Sequence, residues 1–144
     1  MKKIFLAAFI SACTLTVFAS DPVDAKVLEA FNKAFKNAQN VSWSTSEYTY
    51  EVRFDQNKVT AKITYDKAGN ILRTLRYYTE EKLPLMVITK VKEKYNDKKI
   101  FGVVEVSSQD GTFYHITLED AKNWTMIKAD SYGYLTVEKK FKKA

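Results

Sequence analysis

Apolar side chains recur at every fourth position in the stretch that follows residue 22. The recurring residues, which have lysines and asparagines between them, are Val23, Val27, Phe31 and Phe35. Residues four apart share one face of an α-helix, so this spacing predicts an amphipathic helix. Asp21-Pro22 suits its N-cap and its first helical position.

Period-two alternation of apolar and polar residues follows, and it predicts strands with one buried and one wet face. A second helix, with Ile88, Val91 and Tyr95 on its apolar side, is predicted to begin at Leu83-Pro84 and to interrupt the strands. The predicted strands span residues 41–43, 48–54, 59–65, 71–78, 100–107, 112–118, 124–129 and 134–141.

The same D-x-x-G turn occurs twice, as Asp66 with Gly69 and as Asp130 with Gly133, 64 positions apart. Helix and strand positions also match at this offset, which indicates an internal repeat. We therefore predict an α+β fold of two tandem units, each a helix plus a four-stranded antiparallel sheet. The units would span about residues 21–78 and 80–141.

The N-terminal residues MKKIFLAAFISACTLTVFAS have a basic start, a short apolar run and small residues near Ala19. This order predicts a signal peptide over residues 1–19 and a single exported domain over residues 20–144, in the periplasm. Residues 10–13 also fit a lipobox, so a lipoprotein anchored at Cys13 is the alternative, and only then would the protein bind a membrane. Without Cys13 the exported chain has no cysteine and forms no disulfide.

The chain has a formal net charge of +6, which falls to +4 when the two lysines of the predicted signal are removed. A basic surface is typical of proteins that bind nucleic acid. Export argues against that class of partner, and we interpret the lysines as a solvated surface.

Several stretches carry a resemblance to a known family. They are VLEAFNKAFKNAQNVSW, YTYEVRF, YDKAGNIL, YYTEEKLP and FYHITLED. Together they resemble the small exported PepSY-like proteins, also described as β-lactamase-inhibitor-like (BLIP-like) proteins of the Gram-negative periplasm. The resemblance covers nearly all of the exported chain. It implies that the helices cover one sheet face, that the other face is open, and that binding or inhibition of an enzyme is a conceivable role. It brings no catalytic residues.

Catalytic and metal-binding chemistry is sparse in this sequence. His115 is the single histidine, and no nucleophile or orienting acid stands near it in the chain. The D-x-x-G turns offer too few oxygen ligands for calcium. We therefore predict a protein that is not an enzyme and that holds no metal and no cofactor.

The strand register places some aromatic residues away from the core. Because Tyr114, Ile116 and Ile127 are predicted to be buried, their strand neighbours must point to the open face. The candidate partner-binding residues are Phe113, His115, Trp124 and Met126 on the second half, with Glu51 and Arg53 on the first half. A loop or terminus that covers Trp124 and Phe113 is the competing interpretation.

The predicted function is the binding of a periplasmic protein or peptide on the open face, with inhibition of an envelope hydrolase as one form. The alternative is a carrier or sensor that holds a small ligand between the two units. An exposed apolar patch favours the first function, and an apolar pocket between helices and sheet favours the second.

Overall fold

A computed structural model describes residues 22–144; the predicted signal peptide and Cys13 lie outside the described residues. The elements are α1 (Ala25–Ala34), β1 (Gln39–Thr45), β2 (Thr49–Gln56), β3 (Val59–Asp66), β4 (Ile71–Tyr78), the 3-10 turn η1 (Glu80–Lys82), α2 (Leu85–Lys94), β5 (Lys99–Ser108), β6 (Gly111–Glu119), β7 (Asn123–Asp130) and β8 (Leu135–Lys142). Each strand begins and ends within about two residues of its predicted bounds, since period-two alternation is a local property of the sequence. No helix within residues 22–144 is long and apolar enough to cross a membrane.

The first helix begins later than its apolar stripe predicts. Asp24 is the N-cap, and its carboxylate accepts a hydrogen bond of 2.8 Å from the backbone N–H of Lys26. An aspartate in this position satisfies one of the backbone donors that a helix start leaves unpaired. Val27 and Phe31 are the buried residues of this helix, and Val23 and Phe35 only pack against the edge of the core.

The prediction of two tandem four-stranded units is wrong. All eight strands form one antiparallel sheet in chain order, because β4 pairs with β5 over six residues, from Arg73 opposite Ser108 to Tyr78 opposite Val103. The segment that contains η1 and α2 crosses one face of the sheet between these strands. Pairing satisfies the backbone groups of β4 and β5, which two separate sheets would have left as unpaired edges.

Two core clusters lie on the same face of this sheet, one under each helix. Val27 and Phe31 of α1 pack on β2 and β3, where Val52, Phe54 and Ile63 are buried. The cluster under α2 is formed by side chains from β3 to β7 and is completed by α2 itself. Its members are Val59, Tyr78, Leu83, Val87, Val91, Val103, Tyr114, Ile116, Leu118, Ile127 and Ala129. Both helices therefore lie on one face, and the opposite face carries none among the described residues.

The two D-x-x-G turns have the same structure. In each, the glycine N–H donates to the aspartate carbonyl at 3.1 Å, and the aspartate N–H donates to the carbonyl of the residue that follows the glycine. The carboxylates of Asp66 and Asp130 accept further backbone N–H groups of their own turns. Gly69 and Gly133 both have positive φ, at 90° and 83°. These bonds use the carboxylates within the turn, which explains the repeated motif structurally.

Candidate binding face

The open face is the sheet surface opposite the helices. Two neighbouring rows of directly paired residues run across it. One row passes from β2 to β7 through directly paired residues, which are Arg53, Lys62, Leu75, Val106, Phe113 and Asp130. A neighbouring row passes through Asp55, Thr60, Tyr77, Val104, His115 and Lys128. Both rows change from charged and polar residues on β2 and β3 to apolar and aromatic residues on β4 to β6.

Trp124 lies in an aromatic cluster at one end of the open face. Its ring meets that of Phe101 edge-on, with 4.8 Å between the ring centroids, and Phe141 is its direct partner on β8. The Lys143 ammonium lies 4.8 Å from the Trp124 centroid and also binds Glu119 at 2.5 Å. We call Phe101, Trp124 and Phe141 the aromatic cluster. Trp124 is half-buried, whereas Phe101 is 62% exposed and Phe141 is 47% exposed.

Phe101 is a member of the open face that the sequence analysis did not name. The register of β5 against β6 shifts between Ile100 and Gly102, so Phe101 is the extra residue of a β-bulge. A bulge breaks the strict alternation of side chains and re-aims the residue at which it occurs. Strict alternation would not have predicted the contact of Phe101 with Trp124. Gly102, directly after it, is the only local hint of an irregularity in this strand.

His115 occupies the middle of the open face and pairs with an acid. Its Nδ1 lies 2.9 Å from the Glu138 carboxylate, and both side chains are about one-third exposed. Glu138 comes from the point at which the β7–β8 register shifts. A histidine and its carboxylate partner are two of the three residues of a hydrolytic triad, and the third is a nucleophile. No serine, threonine or cysteine hydroxyl or thiol within residues 22–144 hydrogen-bonds to this ring.

Phe113 lies far from the aromatic cluster. It pairs with Asp130, which is six residues beyond Trp124 on β7, so about 20 Å of strand separate the two aromatic residues. The Lys128 ammonium covers the Phe113 ring at 3.9 Å from its centroid. Met126 lies between the two ends and is opposite Thr117. The four candidates of the second half therefore share one face along the β6–β7 ladder but do not form a single cluster.

Glu51 and Arg53 lie on β2, four strands away from Phe113 and His115. Four strand spacings amount to about 19 Å. Glu51 forms an ion pair of 2.7 Å with Lys62, and Arg53 is exposed. The six candidate residues therefore share the open face, with two of them at its charged half and four at its apolar half.

A partly buried polar network lies on the other, helix-bearing face, where β4 meets β5. The Glu105 carboxylate, whose side chain is 13% exposed, accepts hydrogen bonds from Arg76 Nη1 at 2.9 and 3.1 Å and from the Tyr78 hydroxyl at 2.6 Å. Burial, together with this hydrogen bond, raises the pKa of Tyr78 far above its usual range. The network joins the two halves of the sheet at the strand pair that the sequence repeat did not predict.

Solved structures share this fold. A BLIP-like protein from Bacteroides fragilis NCTC 9343 matches with a TM-score of 0.64 and 22% identity, over 85% of this chain and 89% of that one. A DUF2874 family protein from Bacteroides ovatus ATCC 8483 matches with a TM-score of 0.62 and 18% identity, over 85% and 89% of the two chains. A protein from Bacteroides eggerthii DSM 20697, provisionally described as periplasmic, matches with a TM-score of 0.61 and 15% identity, over 84% and 89%.

No family model matches the sequence, and the comparison with curated proteins also finds no match. At the identities of the solved structures, the likeness concerns the fold. The expected resemblance to BLIP-like proteins is confirmed at that level, and the PepSY-like label does not occur in these three descriptions. None of the three descriptions names an enzymatic activity.

Proposed function

We propose that this chain is a non-enzymatic binding protein of the bacterial periplasm that engages a protein or peptide partner on its open face. The observation that carries the proposal is the aromatic cluster. Phe101, Trp124 and Phe141 lie together on a sheet face that carries no helix among residues 22–144, and Phe101 remains 62% exposed. Clustered aromatic side chains on a surface are typical of binding sites, where they contribute much of the affinity.

The surroundings of the aromatic cluster support a protein partner. Glu119 and Lys143 form an ion pair beside Trp124, so apolar surface is bordered by charge. Protein interfaces combine an apolar centre with a polar rim in this way. An eight-stranded hydrogen-bonded sheet carries these side chains, and a preformed surface lowers the entropy cost of binding.

The charged half of the open face supplies orientation in this proposal. Arg53 is exposed, and Glu51 and Lys62 form a partly exposed ion pair. Charges at the rim of an interface chiefly affect the association rate and the choice of partner. A partner that reaches from Trp124 to Arg53 would span most of the sheet, and a smaller one would engage the aromatic cluster alone.

The predicted signal peptide supports the periplasmic location. Residues 1–19 have the features of a signal peptide, and one of the solved structures with this fold is provisionally described as periplasmic. The BLIP-like description of another neighbour makes inhibition of an envelope hydrolase one form that partner binding could take. In that form the open face of the sheet would cover the hydrolase and keep its substrate out.

Site-specific photocrosslinking in the periplasm of the producing bacterium tests the proposal. A photoreactive phenylalanine analogue replaces Phe101 in one strain and Leu85 in another. Leu85 is the matched control because it is 80% exposed and lies on α2, on the opposite side of the sheet. We expect a discrete crosslinked partner from position 101 and none from position 85. Equal labelling from both positions would contradict a site on the open face.

Alanine substitutions measure how much Phe101 contributes to the affinity for the partner. Phe101→Ala removes a largely exposed ring, so the thermal stability should stay close to that of the parent while binding of the identified partner falls at least tenfold. Leu85→Ala is the control and should leave the affinity unchanged. If the captured partner is a hydrolase, its turnover in the presence of the parent and of Phe101→Ala shows whether binding inhibits it.

A further inference from the structure

A cavity of about 380 Å³ lies on the helix-bearing side of the sheet, between α1 and η1. Its floor consists of buried apolar side chains of β2 and β3, among them Phe54, Ala61 and Ile63. Phe35, the residue that follows α1, and Lys82 of η1 also line it. A cavity of this volume falls in the lower part of the range of about 300–1,000 Å³ that is typical of small-molecule sites.

The cavity lies over the middle of β4, between the two core clusters of the described residues. The core under α1 is built on β2 and β3, and most of the core under α2 is built on β5 to β7. On β4 the residues that face the helices at this point are Thr74 and Arg76, which are only half-buried. Ala61, which is directly opposite Arg76, is too small to fill the gap.

Arg76 and Lys82 are the charged residues that line the cavity within residues 22–144, and both are cations. Glu105, the ion-pair partner of Arg76, is not a lining residue. Both hydrogen bonds from Arg76 to Glu105 leave from Nη1, and no hydrogen bond joins its Nε or Nη2 to another residue within 22–144. Lys82 is exposed and forms no ion pair within the same part of the chain. The apolar floor therefore lies next to cationic side chains that can donate hydrogen bonds to a negatively charged group.

From this combination we infer that the cavity binds a small amphipathic carboxylate, such as the anion of a medium-chain fatty acid. Its hydrocarbon part lies on Phe54, Ala61 and Ile63, and its carboxylate meets Lys82 and Arg76. The site is on the side of the sheet opposite the aromatic cluster. The inference is therefore independent of partner binding on the open face, and either can fail without the other.

Calorimetric titration of the exported protein with three ten-carbon probes tests the charge requirement. Decanoate, 1-decanol and decylammonium share a chain and differ in the head group. We expect decanoate to bind roughly tenfold or more tightly than 1-decanol, since a charge-assisted hydrogen bond contributes that much, and decylammonium to bind most weakly. Amide chemical shifts should move around Ala61 and Lys82. Equal affinities for decanoate and decylammonium, or no binding of decanoate, would overturn the inference.

Two variants locate the site. Lys82→Gln should remove most of the preference for decanoate over 1-decanol, and Ala61→Leu should weaken both by filling the floor. Lys33→Gln is the matched control, because Lys33 is an exposed lysine of α1 that does not line the cavity. Because Lys82 is exposed, its substitution tests the site even if Ala61→Leu fails to fold. Unchanged selectivity in Lys82→Gln, or the same loss in Lys33→Gln, would refute the carboxylate site.

Discussion

Gly133 touches Lys90: a Cβ atom built on Gly133 would lie 2.8 Å from Lys90 Cγ and 3.4 Å from the Met86 carbonyl oxygen. The β7–β8 turn therefore lies directly against α2. The equivalent glycine of the β3–β4 turn, Gly69, approaches α1 in the same manner, with 3.3 Å from its built Cβ to Val27 Cγ2. Each D-x-x-G turn therefore lies close against a helix as well as reversing the chain.

Gly133→Ala should destabilise the protein for two reasons. The residue has φ of 83°, where a side chain costs about 1–2 kcal/mol, and the new methyl group must displace Lys90, which adds about 1–3 kcal/mol. Urea unfolding followed by circular dichroism measures the loss. Gly111→Ala is the control, because Gly111 has φ of 108° but nothing within 4 Å of its built Cβ. Equal losses in the two variants would show that the contact with α2 contributes nothing.

Tyr78→Phe should cost about 1.5–3 kcal/mol of unfolding free energy, because the Tyr78 hydroxyl donates to the charged Glu105 carboxylate in a mostly buried place. Tyr114→Phe is the matched control. Tyr114 is also buried and is the cross-strand neighbour of Glu105, but its hydroxyl makes no hydrogen bond within residues 22–144. Chemical denaturation of both variants gives the comparison, and a loss in Tyr114→Phe as large as that in Tyr78→Phe would contradict the role of the network.

Asp120 should contribute to acid sensitivity. The Lys98 ammonium at 2.5 Å, and the backbone N–H groups of Lys122 and Asn123, hold the pKa of Asp120 well below its usual range. The unfolded chain, with an aspartate pKa near 3.9, then binds a proton more readily than the folded one. The stabilisation is therefore present above about pH 4 and is lost as the pH falls towards the lower folded value.

Asp120→Asn removes this dependence. The free energy of unfolding should fall less steeply in the variant than in the parent below about pH 5, as measured by denaturant titrations at several pH values. Asp110→Asn is the control, since the Asp110 carboxylate accepts no hydrogen bond from a described residue. Parallel pH profiles for the parent and Asp120→Asn would refute the assignment.

Thr125→Val should stabilise the protein by about 1 kcal/mol. Thr125 Oγ1 is buried and makes no hydrogen bond within the described part of the chain, and valine keeps the shape without the unsatisfied hydroxyl. Thr125→Ser keeps the hydroxyl and removes a buried methyl group, so it should destabilise by a similar amount. Thermal unfolding of the two variants and the parent measures these differences. A Thr125→Val variant less stable than the parent would contradict the expectation.

The sequence alone determined the local elements of this protein. The strands from Thr49–Gln56 to Leu135–Lys142 follow period-two alternation, and Val27 and Phe31 follow helical spacing. Asp66 with Gly69 and Asp130 with Gly133 predicted both hairpin turns. These features could be predicted because side-chain periodicity and turn chemistry depend on residues close together in the chain.

Only the tertiary structure decided how these elements combine. The pairing of Arg73 to Tyr78 with β5 joined two expected sheets into one, and a repeat in sequence carries no information about whether strand edges meet. The bulge at Phe101 and the register shift beside Glu138 brought these residues to Trp124 and His115. Strand alternation placed the six candidate residues on one face, but register and bulges are determined by hydrogen bonds between strands distant in the chain. The positions of Phe101 and Glu138 on that face therefore depended on the assembled sheet.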